Sequence, residues 1–214
     1  MEITTPGRIC LFGEHSDYLG LPIIAMAISL RAKISGQKRT DNQVIIYQPD
    51  INETETFSLK DLRYTKPRDY FKSCIKTCQN EGLVFSSGFE CEVSSKIPIR
   101  AGASSSSAIN VSWIHFLSKM ADNPIEWTQE KIGELTYQAE STEFNEPGGM
   151  MDQYTTAMGH IIHLESEPHI SIQSLNPELG SFVLGDSEQP KDTMGILKRL
   201  NDSRVEILNT LRAK

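Results

Sequence analysis

The sequence predicts an α+β fold on two observations. Short runs of alternating or continuous apolar residues crowd the first hundred positions. Helical apolar periodicity then takes over, so strands and helices are largely segregated along the chain.

Residues 2 to 12 read as a strand, with Ile9 and Leu11 apolar after Pro6-Gly7-Arg8. The polar cluster Gly13-Glu-His-Ser-Asp-Tyr18 comes next, dense in titratable groups and closed by Gly20. Pro22 to Ile28 is a continuous apolar run, as in a buried strand, and its continuation through Ala32 and Ile34 alternates. Gln43 to Tyr47 and Thr54 to Leu59 read as further strands, the first preceded by the turn signal Asp41-Asn42. Pro67 to Glu81 reads as a helix, with Pro67 at an early position, Gly82 as terminator, and Phe71, Cys74, Ile75 and Cys78 on one face. Gly88 to Val93 alternates as another strand. Helices are expected over 105–120 and 127–142, separated by Asp122-Asn123-Pro124. One or two helical turns are expected over Met150 to Ala157, then a hairpin from Gly159 to Leu164 and His169 to Gln173. A strand over Ser181 to Leu184 and a helix from Pro190 to the end complete the reading.

The composition restricts function. A chain of 214 residues can bury a full core, and its net charge of -7 opposes general nucleic-acid binding, which needs clustered Lys and Arg. No apolar run approaches a membrane span, and the N-terminus lacks the basic and apolar pattern of a signal segment. No membrane partner and a cytoplasmic location are therefore expected. Cys10, Cys74, Cys78 and Cys91 have no second Cys or His pair to complete a zinc set, and read as buried or half-buried thiols.

Pro98-Ile-Arg-Ala-Gly-Ala-Ser-Ser-Ser-Ser-Ala108 connects the last of the early strands to a helix. Small residues let a backbone close tightly, and a helix start offers unpaired N–H groups and a positive dipole end. Together these make a phosphate cradle. A serine-rich N-cap on an ordinary helix would produce the same residues.

Three stretches resolve that choice. Pro6-Gly-Arg-Ile-Cys-Leu-Phe-Gly-Glu-His-Ser-Asp-Tyr18 resembles the N-terminal signature of galactokinases. These belong to the GHMP kinases, the family of galactokinase, homoserine kinase, mevalonate kinase and phosphomevalonate kinase. Gly102-Ala-Ser-Ser-Ser-Ser-Ala108 resembles that family's phosphate loop. Ala139-Glu140, followed after a gap by Gly149-Met-Met-Asp-Gln153, resembles the galactokinase segment ending in Gly-Ile-Met-Asp-Gln. The resemblance covers roughly the first 155 residues.

The resemblance implies ATP-dependent, Mg²⁺-dependent phosphorylation of a sugar hydroxyl, at the anomeric carbon of galactose or a related hexose. The fold it implies is a ribosomal protein S5 domain 2-like N-terminal domain over residues 1–174. The start of a truncated GHMP kinase C-terminal α+β domain would occupy 175–214. Gly102, Ala103, Ser104, Ser105, Ser106, Ser107 and Ala108 would hold the ATP phosphates, and Ser106 with Glu140 would hold Mg²⁺. Asp152 would be the catalytic carboxylate, with Arg8 keeping it ionised. Glu14, His15, Asp17 and Gly149 would contact the sugar, carboxylates suiting hydroxyls because each offers two acceptor oxygens.

Each of these residues also has a plainer use. Glu140 is one of several acids on a solvated helix, Asp152 could cap the turn after it, and His15 or Glu14 could serve the fold. Arg100, Ala103 and Ser107 stand where the family has glycine, leucine and alanine, but none of these changes removes a backbone donor. The third glycine-rich motif and the galactokinase sugar-contact tyrosine are not found. The chain is therefore expected to be an N-terminal fragment, a split-gene half with a separately encoded C-terminal half as a partner, or a truncated reading frame. Two other functions fit the same residues: a non-catalytic sugar or nucleotide binding module, and a kinase for a mevalonate-like alcohol. The segment around Thr193 favours the latter, and the Gly13–Tyr18 cluster opposes it.

Overall fold

The structure is a computed structural model and describes residues 1–14, 16–99, 101–146, 148–185, 207 and 209–211. Seven strands form one sheet: β1 (Glu2–Phe12), β2 (Ile23–Lys38), β3 (Gln43–Gln48), β4 (Glu53–Ser58), β5 (Phe89–Ser95), β6 (Ile161–Glu165) and β7 (Ser171–Leu175). The helices are α1 (Tyr70–Asn80), α2 (Ser105–Met120), α3 (Gln129–Tyr137) and α4 (Met151–Met158). None of the described helices is long and apolar enough to cross a membrane.

The spine of the sheet is β2, a single strand of 16 residues where the sequence suggested a buried run with a half-exposed extension. Its first residues pair with β6, its second half with β5, and β1 runs antiparallel along both stretches. The order β4-β3-β5-β2-β6-β7 is antiparallel except for β3 beside β5. Strand periodicity decides which face is covered. Ala32 and Ile34 of β2, Val44 and Ile46 of β3, and Phe89, Cys91 and Val93 of β5 all point into the core. Their alternates, among them Lys33, Glu90 and Glu92, stay half-buried or exposed.

The helices lie over the buried face. Phe71, Phe89, Trp113 and Phe116 meet edge-on or stacked at the centre, and the Trp113 Nε1–H donates to the Phe71 carbonyl at 3.1 Å. Helix α1 starts three residues later than its sequence suggested. Asp69, fully buried, accepts from the Thr65 backbone N–H and pairs with Lys72, and this holds Pro67 outside the helix. Helix α3 ends at Tyr137, and the rest of the expected 127–142 helix is a π-helical turn, Gln138–Thr142. Residues 181–184 form no strand: Phe182, Val183 and Leu184 are exposed, with no neighbouring strand to pair with among the described residues. The helix expected from Pro190, the segment around Thr193 and most of the expected second domain lie outside the described residues.

All four cysteines are free, Cys10 half-buried and the others buried. Burial pushes the Cys10 thiol up to about 11 and the Cys91 thiol to about 12, and drives Cys74 and Cys78 upward as well. Thiolates are the reactive species. The folded protein at neutral pH should therefore react with a chromogenic disulfide at Cys10 only, and slowly, whereas denaturant should release all four. Fast reaction of two or more thiols in the native state would contradict this packing.

Candidate active site

The site is assembled where β1 runs under the loop that precedes α2. The register of β1 against β2 shifts between Pro6 and Arg8, with Gly7 of β1 across from Ile28, Ser29 and Leu30 of β2. A Cβ on Gly7 would stand 2.8 Å from the Ala103 carbonyl oxygen, so only glycine lets the loop lie against the strand. The Arg8 backbone N–H donates to that same carbonyl at 3.1 Å.

The Arg8 side chain then joins three segments. Its Nη1 donates to the Gly102 carbonyl at 2.6 Å, and its Nε and Nη2 donate to Asp152 Oδ1 at 2.8 and 2.5 Å. Arg8 is buried, while the Asp152 side chain keeps a third of its surface exposed. Burial disfavours the guanidinium charge, but the adjacent Asp152 carboxylate outweighs it and raises the Arg8 pKa. Arg8 therefore stays charged.

Helix α2 begins at Ser105, and Ser104 precedes it in a left-handed conformation (φ 57°, ψ 44°) with no side-chain capping bond. The serines are thus not a hydroxyl cap, and the first turn leaves backbone donors facing the loop. Ser106 is exposed and Ser105 half-buried. The Ser104 hydroxyl is buried with no hydrogen-bond partner.

Glu140 sits in the π turn, buried at 5% exposure. The Ser73 hydroxyl holds the turn by donating to the Ala139 carbonyl at 2.5 Å. Three neutral groups donate to the Glu140 carboxylate: Ser107 Oγ at 2.9 Å, Asn110 Nδ2 at 2.6 Å and Gln153 Nε2 at 2.5 Å. The serine on Glu140 is Ser107, expected to be one of the phosphate-loop residues; Ser106, expected to share a metal with Glu140, is exposed. Three consecutive residues of a helix point about 100° apart, so one serine of the turn at a time can face Glu140. Asn110 lies one helical turn beyond Ser107 on the same face. Its signal in the sequence was a polar residue inside an apolar-periodic helix.

Burial pushes the Glu140 carboxyl up to about 7, against the lowering effect of its three donors. An unfolded glutamate titrates near 4.5, so between that value and about 7 the folded protein holds a proton that the unfolded chain has lost. The resulting stabilisation is present at low pH and is lost as pH rises, fully so above about 7. The melting temperature of the metal-free protein should fall, relative to Glu140→Gln, as pH is raised from about 5 to about 8. A constant difference between the two proteins across that range would refute it.

On the other side of Asp152, a turn of 3-10 helix, Asp17–Leu19, carries a buried carboxylate. Asp17 Oδ2 accepts from the Met151 backbone N–H at 3.1 Å, so Asp17 caps α4 from a distant segment. That is the cap role Asp152 could have filled; Asp152 instead lies within the first turn, on Arg8. A Cβ on Gly149 would fall 1.7 Å from Asp17 Oδ2, so the two residues are in direct contact. Burial raises the Asp17 pKa, with the Met151 N–H working against it. Glu14 is exposed, close enough for its charge to raise the pKa values of Arg8 and Cys10. His15 lies outside the described residues, as does Arg100.

Two family models match the chain: GHMP kinases N terminal domain over residues 69–160, and the galactokinase galactose-binding signature over residues 2–38. The first spans α1, the serine loop, Glu140 and Asp152, and the second spans Arg8 and Asp17. The chain has the N-terminal domain of a GHMP kinase. Among curated proteins it is 32% identical to a galactokinase of Haemophilus influenzae over 199 residues, covering 89% of this chain and 51% of that protein. The crystal structure of the Methanococcus jannaschii mevalonate kinase matches with a TM-score of 0.72 and 27% identity, over 83% of this chain and 56% of that one. That of Lactococcus lactis galactokinase complexed with galactose matches with a TM-score of 0.75 and 23% identity, over 84% and 47%, and this likeness is one of fold. The chain spans about half the length of the curated relatives it matches.

The donor set of this GHMP kinase domain fits a magnesium ion. Among the described residues no three His, Cys, Asp or Glu side chains gather as a metal cluster. One buried carboxylate beside a serine hydroxyl suits a hard cation that completes its shell with water and phosphate oxygens.

Proposed function

We propose that the chain is the nucleotide- and sugar-binding part of an ATP-dependent kinase acting on galactose or a related hexose at its anomeric hydroxyl. The observation that carries this reading is the Arg8 guanidinium, bonded at once to the phosphate loop and to Asp152. It ties the place where phosphate would rest to the carboxylate that would receive the acceptor's proton.

In this reading the backbone N–H groups of residues 102–108 hold the phosphates, and Glu140 with a serine hydroxyl, Ser106 or Ser107, holds Mg²⁺. Magnesium, when bound, neutralises charge on the transferred phosphoryl group. The acceptor hydroxyl oxygen forms a bond to the γ-phosphorus as the bond to the β-phosphate oxygen breaks, and the hydroxyl proton passes to Asp152. Both Arg8 bonds fall on Oδ1, so Oδ2 is the oxygen left to face that hydroxyl. Asp17 and Gly149, in contact beside Asp152, form the sugar-facing wall together with Glu14 and His15. The domain works in the cytoplasm, and the second wall of the cleft comes from a C-terminal half supplied by the same or a separate chain.

A mevalonate-like acceptor is the second reading, favoured by the match to mevalonate kinase. One experiment decides between the two and also addresses a purely binding role. A coupled assay with ATP and Mg²⁺ is run on galactose, other hexoses and mevalonate, with and without any adjacent reading frame co-expressed. Calorimetry with galactose and a non-hydrolysable ATP analogue runs alongside. Turnover of a hexose supports the proposal. Turnover of mevalonate alone replaces the acceptor, and binding without turnover under every condition leaves a binding module.

A further inference from the structure

Gln153 is a buried polar residue at this site to which the family resemblance gives no role. It comes directly after Asp152 on α4, so their side chains leave the helix about 100° apart. Asp152 reaches Arg8, and Gln153 reaches Glu140, its Nε2 donating to Oε2 at 2.5 Å. Only 5% of Gln153 is exposed, and its Oε1 is buried without a hydrogen-bond partner. The amide orientation is fixed by chemistry, since the opposite one would set a carbonyl oxygen against a carboxylate. The Thr156 hydroxyl donates to the backbone carbonyls of both Asp152 and Gln153, at 2.8 and 3.2 Å, which locks this turn.

A buried carbonyl oxygen left unpaired beside a carboxylate costs free energy unless something donates to it. With a hydrated cation on Glu140, the natural donor is a water of the ion's shell. We infer that Gln153 is a positioning residue for the metal site, its amide N–H orienting the Glu140 carboxylate and its carbonyl oxygen accepting from a metal-bound water. The inference rests on the reading of Glu140 as a metal ligand. It also makes α4 the part that sets the distance between metal carboxylate and proton acceptor, because adjacent residues of one locked turn hold both.

The test uses Mn²⁺ as the probe, its binding followed by electron paramagnetic resonance with a non-hydrolysable ATP analogue present. Gln153→Met keeps length and apolar packing but removes both polar atoms. It should weaken Mn²⁺ binding by about tenfold or more, as is usual for groups that orient a ligand. The Mg²⁺ concentration for half-maximal activity should rise equally, while the melting temperature and the affinity for galactose stay near those of the wild type. Should Gln153→Met fail to fold, Gln153→Asn, whose amide is one methylene short of Glu140, should show the same direction. Wild-type Mn²⁺ affinity in either variant would overturn the inference. Glu140→Gln separates the two levels: if it abolishes Mn²⁺ binding and the Gln153 variants do not weaken it, only this inference falls. If Glu140→Gln leaves binding intact, the metal assignment falls with it.

Discussion

An Asp152→Asn protein is expected to lose phosphoryl transfer by about three orders of magnitude, the middle of the range for removing a general base, while its affinity for ATP stays within a few-fold of wild type. Asparagine keeps the shape and can still accept a hydrogen bond from Arg8, so α4 and the loop stay in place. It cannot take a proton. The cost to stability should be on the order of 1–2 kcal/mol, because Arg8 loses its counter-charge inside the protein. The exposed third of the Asp152 side chain keeps that figure below the cost of breaking a fully buried pair. Steady-state kinetics with the accepted sugar, calorimetry with the ATP analogue and a thermal melt measure the three quantities. An active Asp152→Asn enzyme would remove Asp152 from the chemistry.

Gly149→Ala should act through space alone. The added methyl would lie 1.7 Å from Asp17 Oδ2, and Asp17 is held by the Met151 N–H, so it cannot retreat without uncapping α4. Overpacking of this kind costs about 1–3 kcal/mol. Displacing a substrate-facing group by an ångström can lower a rate by about a hundredfold. A fall of that size in kcat/KM for the sugar is expected, with ATP-analogue binding unchanged. Gly148→Ala is the control, since its Cβ would meet nothing nearer than Ser141 Oγ at 3.3 Å. Equal effects from the two substitutions would point to a general intolerance of the loop rather than to the Asp17 contact.

Much of this molecule is legible in its sequence, and for identifiable reasons. Strand and helix periods place β1 and α2 at their ends, because a half-buried face imposes a strict pattern on a chain. Motif spacing groups Arg8, the serine loop and Asp152, and the fold places them in contact. The misses share a cause, which is that each depends on a partner distant in sequence. Asp17 reads as a sugar-facing acid, and nothing local says that it also caps a helix more than 130 residues away. Ser107 reads as one more serine of the phosphate loop until the phase of α2 turns it onto Glu140. The late start of α1 depends on Asp69 and Lys72 pairing inside the protein, and Ser181 to Leu184 carries strand-like residues with no strand beside it among the described residues. Gln153 is visible in the sequence as the last residue of a motif, but its use depends on the turn that holds Glu140.

The π turn at 138–142 makes residue count, as well as residue type, part of the site. A π turn holds one residue more than the α-helical turn it replaces. Deleting Ser141 would let the segment close as ordinary α-helix, turning the chain beyond it by about 100° relative to α3. Glu140 would then keep its identity, while Gln153, beyond the deletion, would be carried away from it. For this stretch a one-residue gap is a more severe change than most substitutions, and in variant libraries spanning residues 138 to 142 the length should be held fixed while the letters vary.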